Sequence, residues 1–209
     1  MTETAQLRKA WQMADVVDVR DSAFAVRTYL EQTEVRRYLE RAAREIPLAS
    51  AADIGAGYGR LSQVLAERAA VTGFEREPHF VAEATPLLPH IRFVNVPALT
   101  SLPVADAAFD FVLTFTVLQH LTNAVVREVV EEIQRIARSP AFVLLCEETD
   151  TEHLWGDLED PSGMCTIGRS VAEYERLLAP FRLVETSPRR IEPTYPRPDV
   201  GTYMLFRAG

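Results

Sequence analysis

Apolar positions along this chain follow two rhythms that take turns. Short, nearly unbroken apolar runs occur at AADI (51–54), VTGFE (71–75), IRFVNV (91–96), FDFVLTF (109–115) and AFVLLCEE (141–148). Between them lie longer stretches whose apolar residues recur every three or four positions. The first rhythm predicts strands buried on both faces, and the second predicts amphipathic helices. Helices are expected over 22–46 with Val26, Leu30, Val35, Tyr38 and Leu39 on one side and Pro47 as its stop, over 60–69, and from Pro78 to about Leu88. Two more are expected over 122–138, capped by Thr122 or Asn123, and over 171–180. FRLVETSPRR (181–190) and TYMLFRAG (202–209) read as two final strands. The link between them is short for a helical crossover, so a hairpin on the sheet edge is expected.

This order predicts an α/β fold. It is a three-layer, doubly wound, mostly parallel seven-stranded sheet with an antiparallel C-terminal hairpin. One domain is expected over 1–209. It divides into a helical section (1–47), a core (48–148), a long loop-like stretch (149–170), and a helix with the hairpin (171–209). Parallel sheets of this kind bind ligands at the carboxyl ends of their strands, where strand order reverses. The first strand lies there, which places Asp53 and the residues after it on the rim.

Composition narrows the classes. The formal net charge is -8, a sign that repels phosphate backbones, so no nucleic acid partner is expected. No apolar run reaches the roughly 18 residues of a membrane span, and the N-terminus MTETAQLRKAWQ has no signal-peptide core. A cytoplasmic protein without a membrane partner follows as an expectation. Cys146 and Cys165 form no CxxC pair and make no zinc pattern with the four histidines, so two free thiols and no metal site are expected.

The stretch DIGAGYGR (53–60) carries the chemistry. Gly55, Gly57 and Gly59 stand at alternate positions between a strand and a helix. A dinucleotide fingerprint, G-x-G-x-x-G, would need glycine where Arg60 stands. A P-loop would need Lys-Ser or Lys-Thr after its last glycine, and neither is present. An acidic residue, Glu75, ends the second strand. Leu102 and Pro103 precede FDFVLTFTVLQHL (109–121). With these three motifs in this order, residues 48–150 resemble the class I S-adenosylmethionine-dependent methyltransferases of Rossmann-like fold.

The resemblance implies S-adenosyl-L-methionine as cofactor and methyl transfer as activity. It implies a cofactor site of Asp53, Gly55, Ala56, Gly57, Gly59, Glu75, Leu99 and Thr116. Glu75 would accept both ribose hydroxyls. Asp53 would orient the loop or reach the ligand's ammonium group through water. The family often has an acid in the loop after the third strand; here Ala98 stands in its place, leaving the Leu99 N–H and apolar contacts for the adenine.

Methyl transfer needs alignment and dryness before it needs acid–base help, but a hydroxyl acceptor usually needs a base. His120 is the candidate base, with a pocket-lining role as its alternative. Glu148, at the end of the fifth strand beside Glu147, is a second candidate. Adjacent strand residues point opposite ways, so one of the two glutamates should face the crevice. Gln119, His153 and Trp155 are candidate acceptor contacts. The stretch 149–170, with Trp155 and Met164, is read as a substrate lid or as a packing surface for the N-terminal helices or a second copy. Arg27 and Tyr29 are either helix-surface residues or close over the cofactor.

The expected function is methyl transfer to an O or N atom of a small-molecule acceptor. Alternatives are a protein or peptide methyltransferase, with an open groove, and a non-catalytic partner subunit of the same fold. A dinucleotide oxidoreductase has Arg60 as its difficulty. Oligomeric state has no sequence signal.

Overall fold

A computed structural model describes residues 22–155, 165–190 and 199–209, with side chains placed over 26–154, 165–190 and 201–209. The N-terminal helix α1 spans Ser22–Ala43. The strands β1 (Ser50–Ile54), β2 (Ala70–Glu75), β3 (Arg92–Asn95), β4 (Phe109–Phe115) and β5 (Ala137–Glu147) follow. Helices α2 (Ser62–Leu65), α3 (Pro78–Leu87) and α4 (Asn123–Ile136) connect them. A two-stranded ribbon of β6 (Leu154–Trp155) and β7 (Thr166–Ile167) precedes α5 (Val171–Leu177). The strands β8 (Arg182–Arg190) and β9 (Asp199–Ala208) end the chain.

The main sheet has seven strands in the order β3-β2-β1-β4-β5-β9-β8. β1 to β5 run parallel, and β9 is antiparallel to both β5 and β8. This is the expected α/β fold, with the second hairpin strand inserted next to β5. Strand order reverses between β1 and β4, so the carboxyl ends of these two strands flank the crevice.

The core is two apolar layers, one on each face of the sheet. Alternate residues of each strand point to opposite faces. Phe111 and Leu113 of β4 pack with Val35, Tyr38 and Leu39 of α1 on one face. Val112 of β4 and Val143 of β5 pack with Val126, Val129, Val130 and Ile133 of α4 on the other. The spacing of three and four along α4 puts these four side chains on one stripe. The Thr122 hydroxyl caps α4 by accepting from the Val125 N–H, so of the two expected caps Thr122 serves.

Several boundaries differ from the expectation. The second helix is regular only over Ser62–Leu65; residues 66–69 continue as tighter i to i+3 turns, with Glu67 N–H on Val64 O and Arg68 N–H on Leu65 O. α4 stops at Ile136 because Ala137 already pairs with Phe109 of β4. β5 therefore starts four residues early, and the ladder shifts register before Phe111 meets Phe142. FDFVLTF is strand, but Leu118–His120 fold as a 3-10 turn. Among the described residues, no helix is long and apolar enough to cross a membrane.

Candidate active site

The glycine loop leaves the carboxyl end of β1 and turns back at once. The N–H groups of Gly55 and Ala56 donate to Phe74 O at 2.8 and 3.1 Å, pinning the loop to β2. Gly55, Gly57 and Gly59 have φ of +75°, +53° and +77°, values that side chains disfavour. Their surroundings differ. A methyl at Gly55 would overlap the Val117 side chain, and one at Gly59 would sit 2.7 Å from Leu88 Cδ1. A methyl at Gly57 would meet nothing within 4 Å. Two glycines of the motif are thus required by packing, while the middle one opens onto free space.

Glu75 faces that opening. It is only 8% exposed, and its Oε2 accepts from the Gly57 N–H at 2.8 Å. Its Oε1 accepts from the Glu77 N–H at 2.9 Å. A carboxylate has about four acceptor sites, so each oxygen keeps capacity for a ligand hydroxyl. Asn95 of β3 donates its amide to the Glu75 and Arg76 carbonyls and steadies the strand end.

Asp53 is buried under the loop. Its Oδ2 accepts from the Ser62 hydroxyl at 2.6 Å, joining β1 to α2. Burial pushes its carboxyl up to about 6, with the Ser62 bond opposing and the Glu75 charge reinforcing. Leu99 is half-buried against the core and Ala98 is exposed, on the loop beyond β3.

The far wall is the turn after β4. Thr116 has φ of +53°, rare for a β-branched residue and a mark of stored strain. Its N–H donates to Cys146 O at 2.8 Å. The Glu148 N–H donates to Gln119 Oε1 at 2.8 Å, which fixes the orientation of that amide. The Gln119 Nε2 then donates to His120 Nε2 at 3.3 Å. His120 Nδ1 carries the proton and donates to Cys165 O at 2.7 Å. Burial holds the imidazole below its ordinary pKa, only partly opposed by the Cys165 carbonyl. Both ring nitrogens of His120 are therefore engaged, and burial favours the neutral form.

Of the paired glutamates, Glu147 points under this turn, and the Glu148 Oε1 accepts from the Asp150 N–H at 2.9 Å. The next segment returns to the rim at Arg169, which is 1% exposed. Its guanidinium donates to Leu118 O at 2.9 Å, Leu121 O at 2.6 Å and Asn123 Oδ1 at 3.0 Å. The Arg169 N–H donates to Glu148 O, and the Gly168 N–H to His153 O. His153 is half-buried in this connection. Trp155 ends β6, but its side chain, like Met164, lies outside the described residues.

A charged group on the α1 face was missed by sequence reasoning. Glu31 of α1 is fully buried and is met by Arg27 at 3.0 Å, Arg60 at 2.5 Å and Arg189 at 2.5 Å. Burial raises its carboxyl, but the charges of Arg189, Arg60 and Arg27 bring it down to about 2. Arg189 and Arg60 also lie over the Phe115 ring, at 4.8 and 5.4 Å from its centre. Arg60 stands where a dinucleotide loop has glycine, and here it ties the loop to α1. Arg27 joins this group, whereas Tyr29 is exposed. The helical spacing of 27 and 31 was a signal for one pair; the distant partners had none.

The arrangement places Asp53, Gly55, Ala56, Gly57, Gly59 and Glu75 around one crevice wall, and Thr116, Gln119 and His120 on the other. It can hold a ribose-bearing ligand without phosphate, since the loop offers backbone and one carboxylate and no P-loop lysine.

Comparison with known proteins agrees with this chemistry. Residues 51–139 match a family model described as a methyltransferase domain. A search of the curated proteins finds no match. Among solved structures, the chain is similar to 1,6-didemethyltoxoflavin-N1-methyltransferase from Burkholderia thailandensis, a structure with bound 1,6-didemethyltoxoflavin and S-adenosylhomocysteine. That match has 21% identity, a TM-score of 0.72, and coverage of 99% of this chain and 89% of that one. It is also similar to the N-methyltransferase NodS from Bradyrhizobium japonicum in complex with S-adenosyl-L-homocysteine. There the identity is 15% and the TM-score 0.65, over 84% of this chain and 86% of that one.

Proposed function

We propose that this chain is a class I S-adenosylmethionine-dependent methyltransferase and that it methylates an oxygen or nitrogen atom of a small-molecule acceptor. The observation that carries the acceptor class is the fastening of residues 165–169 onto the rim. Arg169 and His120 bind this returning segment to the 118–123 turn. A rim flanked by a fastened segment suits a small acceptor better than a polypeptide. The Burkholderia structure, whose bound ligand is a small molecule, supports the same choice.

The residues present fit the cofactor. The opening at Gly57 admits close approach of a ligand, and the Glu75 oxygens keep acceptor sites for two ribose hydroxyls. Gly55, Ala56 and Gly59 shape the loop, Asp53 braces it from below, Leu99 lies toward the adenine side, and Thr116 bounds the methionine side. Bound adenosylmethionine supplies a methyl group already activated by a sulfonium. The protein's part is then to align the acceptor and exclude water, which supplies several kcal/mol. Gln119, His153 and Trp155 are assigned to the acceptor side. We read the chain as one domain, with 48–148 holding the cofactor and 149–170 covering the acceptor.

Proton removal is assigned to His120 or Glu148 only for a hydroxyl acceptor. The lone pair of His120 Nε2 is shared with the Gln119 amide, so base action requires that amide to swing aside. An amine acceptor, neutral before attack, needs no such step, and the engaged ring favours it.

Two measurements test this reading. Calorimetric titration with S-adenosylhomocysteine should show binding that NAD does not reproduce and that Glu75→Ala loses. Incubation of a cell extract with methyl-labelled adenosylmethionine should then place label in the small-molecule fraction. Label confined to polypeptide would replace the small-molecule reading with the protein methyltransferase one. Cofactor binding with no label in either fraction would favour the non-catalytic subunit.

A further inference from the structure

Glu147 ends β5 with its side chain 1% exposed. Its Oε1 accepts from the Thr114 hydroxyl at 3.1 Å and from the Val117 N–H at 3.2 Å. Its Oε2 accepts from the Gln119 N–H at 3.0 Å, and the Leu118 N–H between them also bonds to it. Successive N–H groups converging on one anion form a nest. Hydrogen bonds to an ionised acceptor are roughly twice as strong as neutral ones.

What this nest holds is a strained piece of chain. Thr116 stands immediately before it with φ of +53°, a conformation that persists only where its surroundings over-determine it. The next side chain, Val117, lies directly against Gly55, since a methyl on that glycine would overlap it. One path thus runs from the Glu147 carboxylate through the Val117 backbone to the glycine loop. A second runs from the same carboxylate through Gln119 and His120 to Cys165 O on the returning segment.

We propose that Glu147 is a positioning residue whose carboxylate holds the Thr116–Gln119 turn against the glycine loop and thereby sets cofactor affinity without touching the cofactor. The proposal rests on the reading of that loop as the adenosylmethionine site.

Titration of this group reports on the turn. Burial pushes the Glu147 carboxyl up to about 7, with the three N–H groups and Thr114 opposing. From β4 it faces the neutral Thr114 hydroxyl, and from β9 it stands in register with Thr202. The Cys146 thiol on its own strand and the Tyr174 phenol on α5 both feel its charge and are themselves held protonated by burial. Glu148, next in the chain, turns its carboxylate to the Asp150 N–H. Arg169, from the β7–α5 link, reaches the turn at Leu118 O, and His120, whose ring burial shifts toward the neutral form, ends the turn. Acidification from pH 8 to 6 protonates Glu147, replaces an acceptor by a donor in the nest and weakens the turn.

The experiment is calorimetric titration of the full chain with S-adenosylhomocysteine at pH 6, 7 and 8, for the wild type and Glu147→Gln. The glutamine keeps the shape but presents an NH₂ to N–H donors. Wild-type affinity should fall about tenfold from pH 8 to 6, and Glu147→Gln should bind about tenfold more weakly at pH 8 and lose most of that pH dependence, the remainder near pH 6 belonging to Asp53. Circular dichroism establishes that the variant is folded. Equal affinity and an equal pH profile in the two proteins overturn the positioning role alone. No binding by the wild type overturns the cofactor reading, and this proposal with it. Should Glu147→Gln fail to fold, amide exchange of the wild type decides. Val117, Leu118 and Gln119 should gain protection on saturation with S-adenosylhomocysteine and lose it at pH 6; unchanged protection overturns the proposal.

Discussion

The two walls of the crevice are built differently. On the β1–β2 wall, Asp53, the three glycines, Ser62 and Glu75 lie within 23 residues of sequence. Their bonds run between near neighbours: Asp53 to Ser62, Glu75 to Gly57 and Glu77. On the β4–β5 wall, Thr116, Leu118, Gln119 and His120 are held by Cys146, Glu147, Glu148, Cys165 and Arg169, all about 30 to 50 residues away. The first wall is a local motif resting on a strand pair. The second is a turn suspended between distant segments, so it depends on the whole fold.

The strongest test of that contrast is Arg169→Met. It removes the guanidinium bonds to Leu118 O, Leu121 O and Asn123 Oδ1, leaving Leu118 O with only the Leu121 N–H, and releases the segment from the turn. Hydrogen bonds to a charged group contribute about 1.5–3 kcal/mol each, so urea denaturation should show a loss of about 4 kcal/mol. A loss below 1 kcal/mol would mean that the second wall does not depend on this clamp.

Within the first wall, Gly59→Ala and Gly57→Ala separate packing from binding. Gly59→Ala forces a left-handed residue into Phe93 and Leu88, and should lower stability by about 3 kcal/mol. Gly57→Ala meets open space and should cost about 1 kcal/mol of stability, yet weaken S-adenosylhomocysteine binding more than tenfold. Denaturation and calorimetry on the same pair of proteins check both. Glu75→Ala should weaken the same ligand about 100-fold, two charge-assisted bonds being lost.

A smaller effect comes from Asp53. Its folded carboxyl is raised to about 6 from an ordinary 3.8. Between these values the folded chain binds more protons than the unfolded one, so this residue's contribution to stability declines as pH rises from about 4 to 6. Asp53→Asn should flatten that part of the stability–pH curve, by on the order of 2 kcal/mol across the window. An unchanged curve would show that the carboxyl stays ionised. Smallest of all, Arg36→Ala breaks an exposed pair with Glu67 far from either wall and should change stability by less than about 1 kcal/mol.

Alternating apolar runs and helical stripes were enough to order β1 to β5 and their helices, because burial on both faces leaves a mark on every residue of a strand. The glycine loop and Glu75 were legible for a related reason. Their chemistry is carried by neighbours in sequence, and left-handed turns demand glycine wherever they occur. Where α4 hands over to β5 was not legible, since Ala137 is strand only because Phe109 pairs with it. Nor did spacing reveal that Glu147 turns beneath the rim while Glu148 caps its own turn, or that Glu31 gathers Arg27, Arg60 and Arg189. Those arrangements join residues up to 158 positions apart. A lone arginine or glutamate carries no periodicity that names its partner; only closure of the chain, and the penalty for burying a charge without one, selects it.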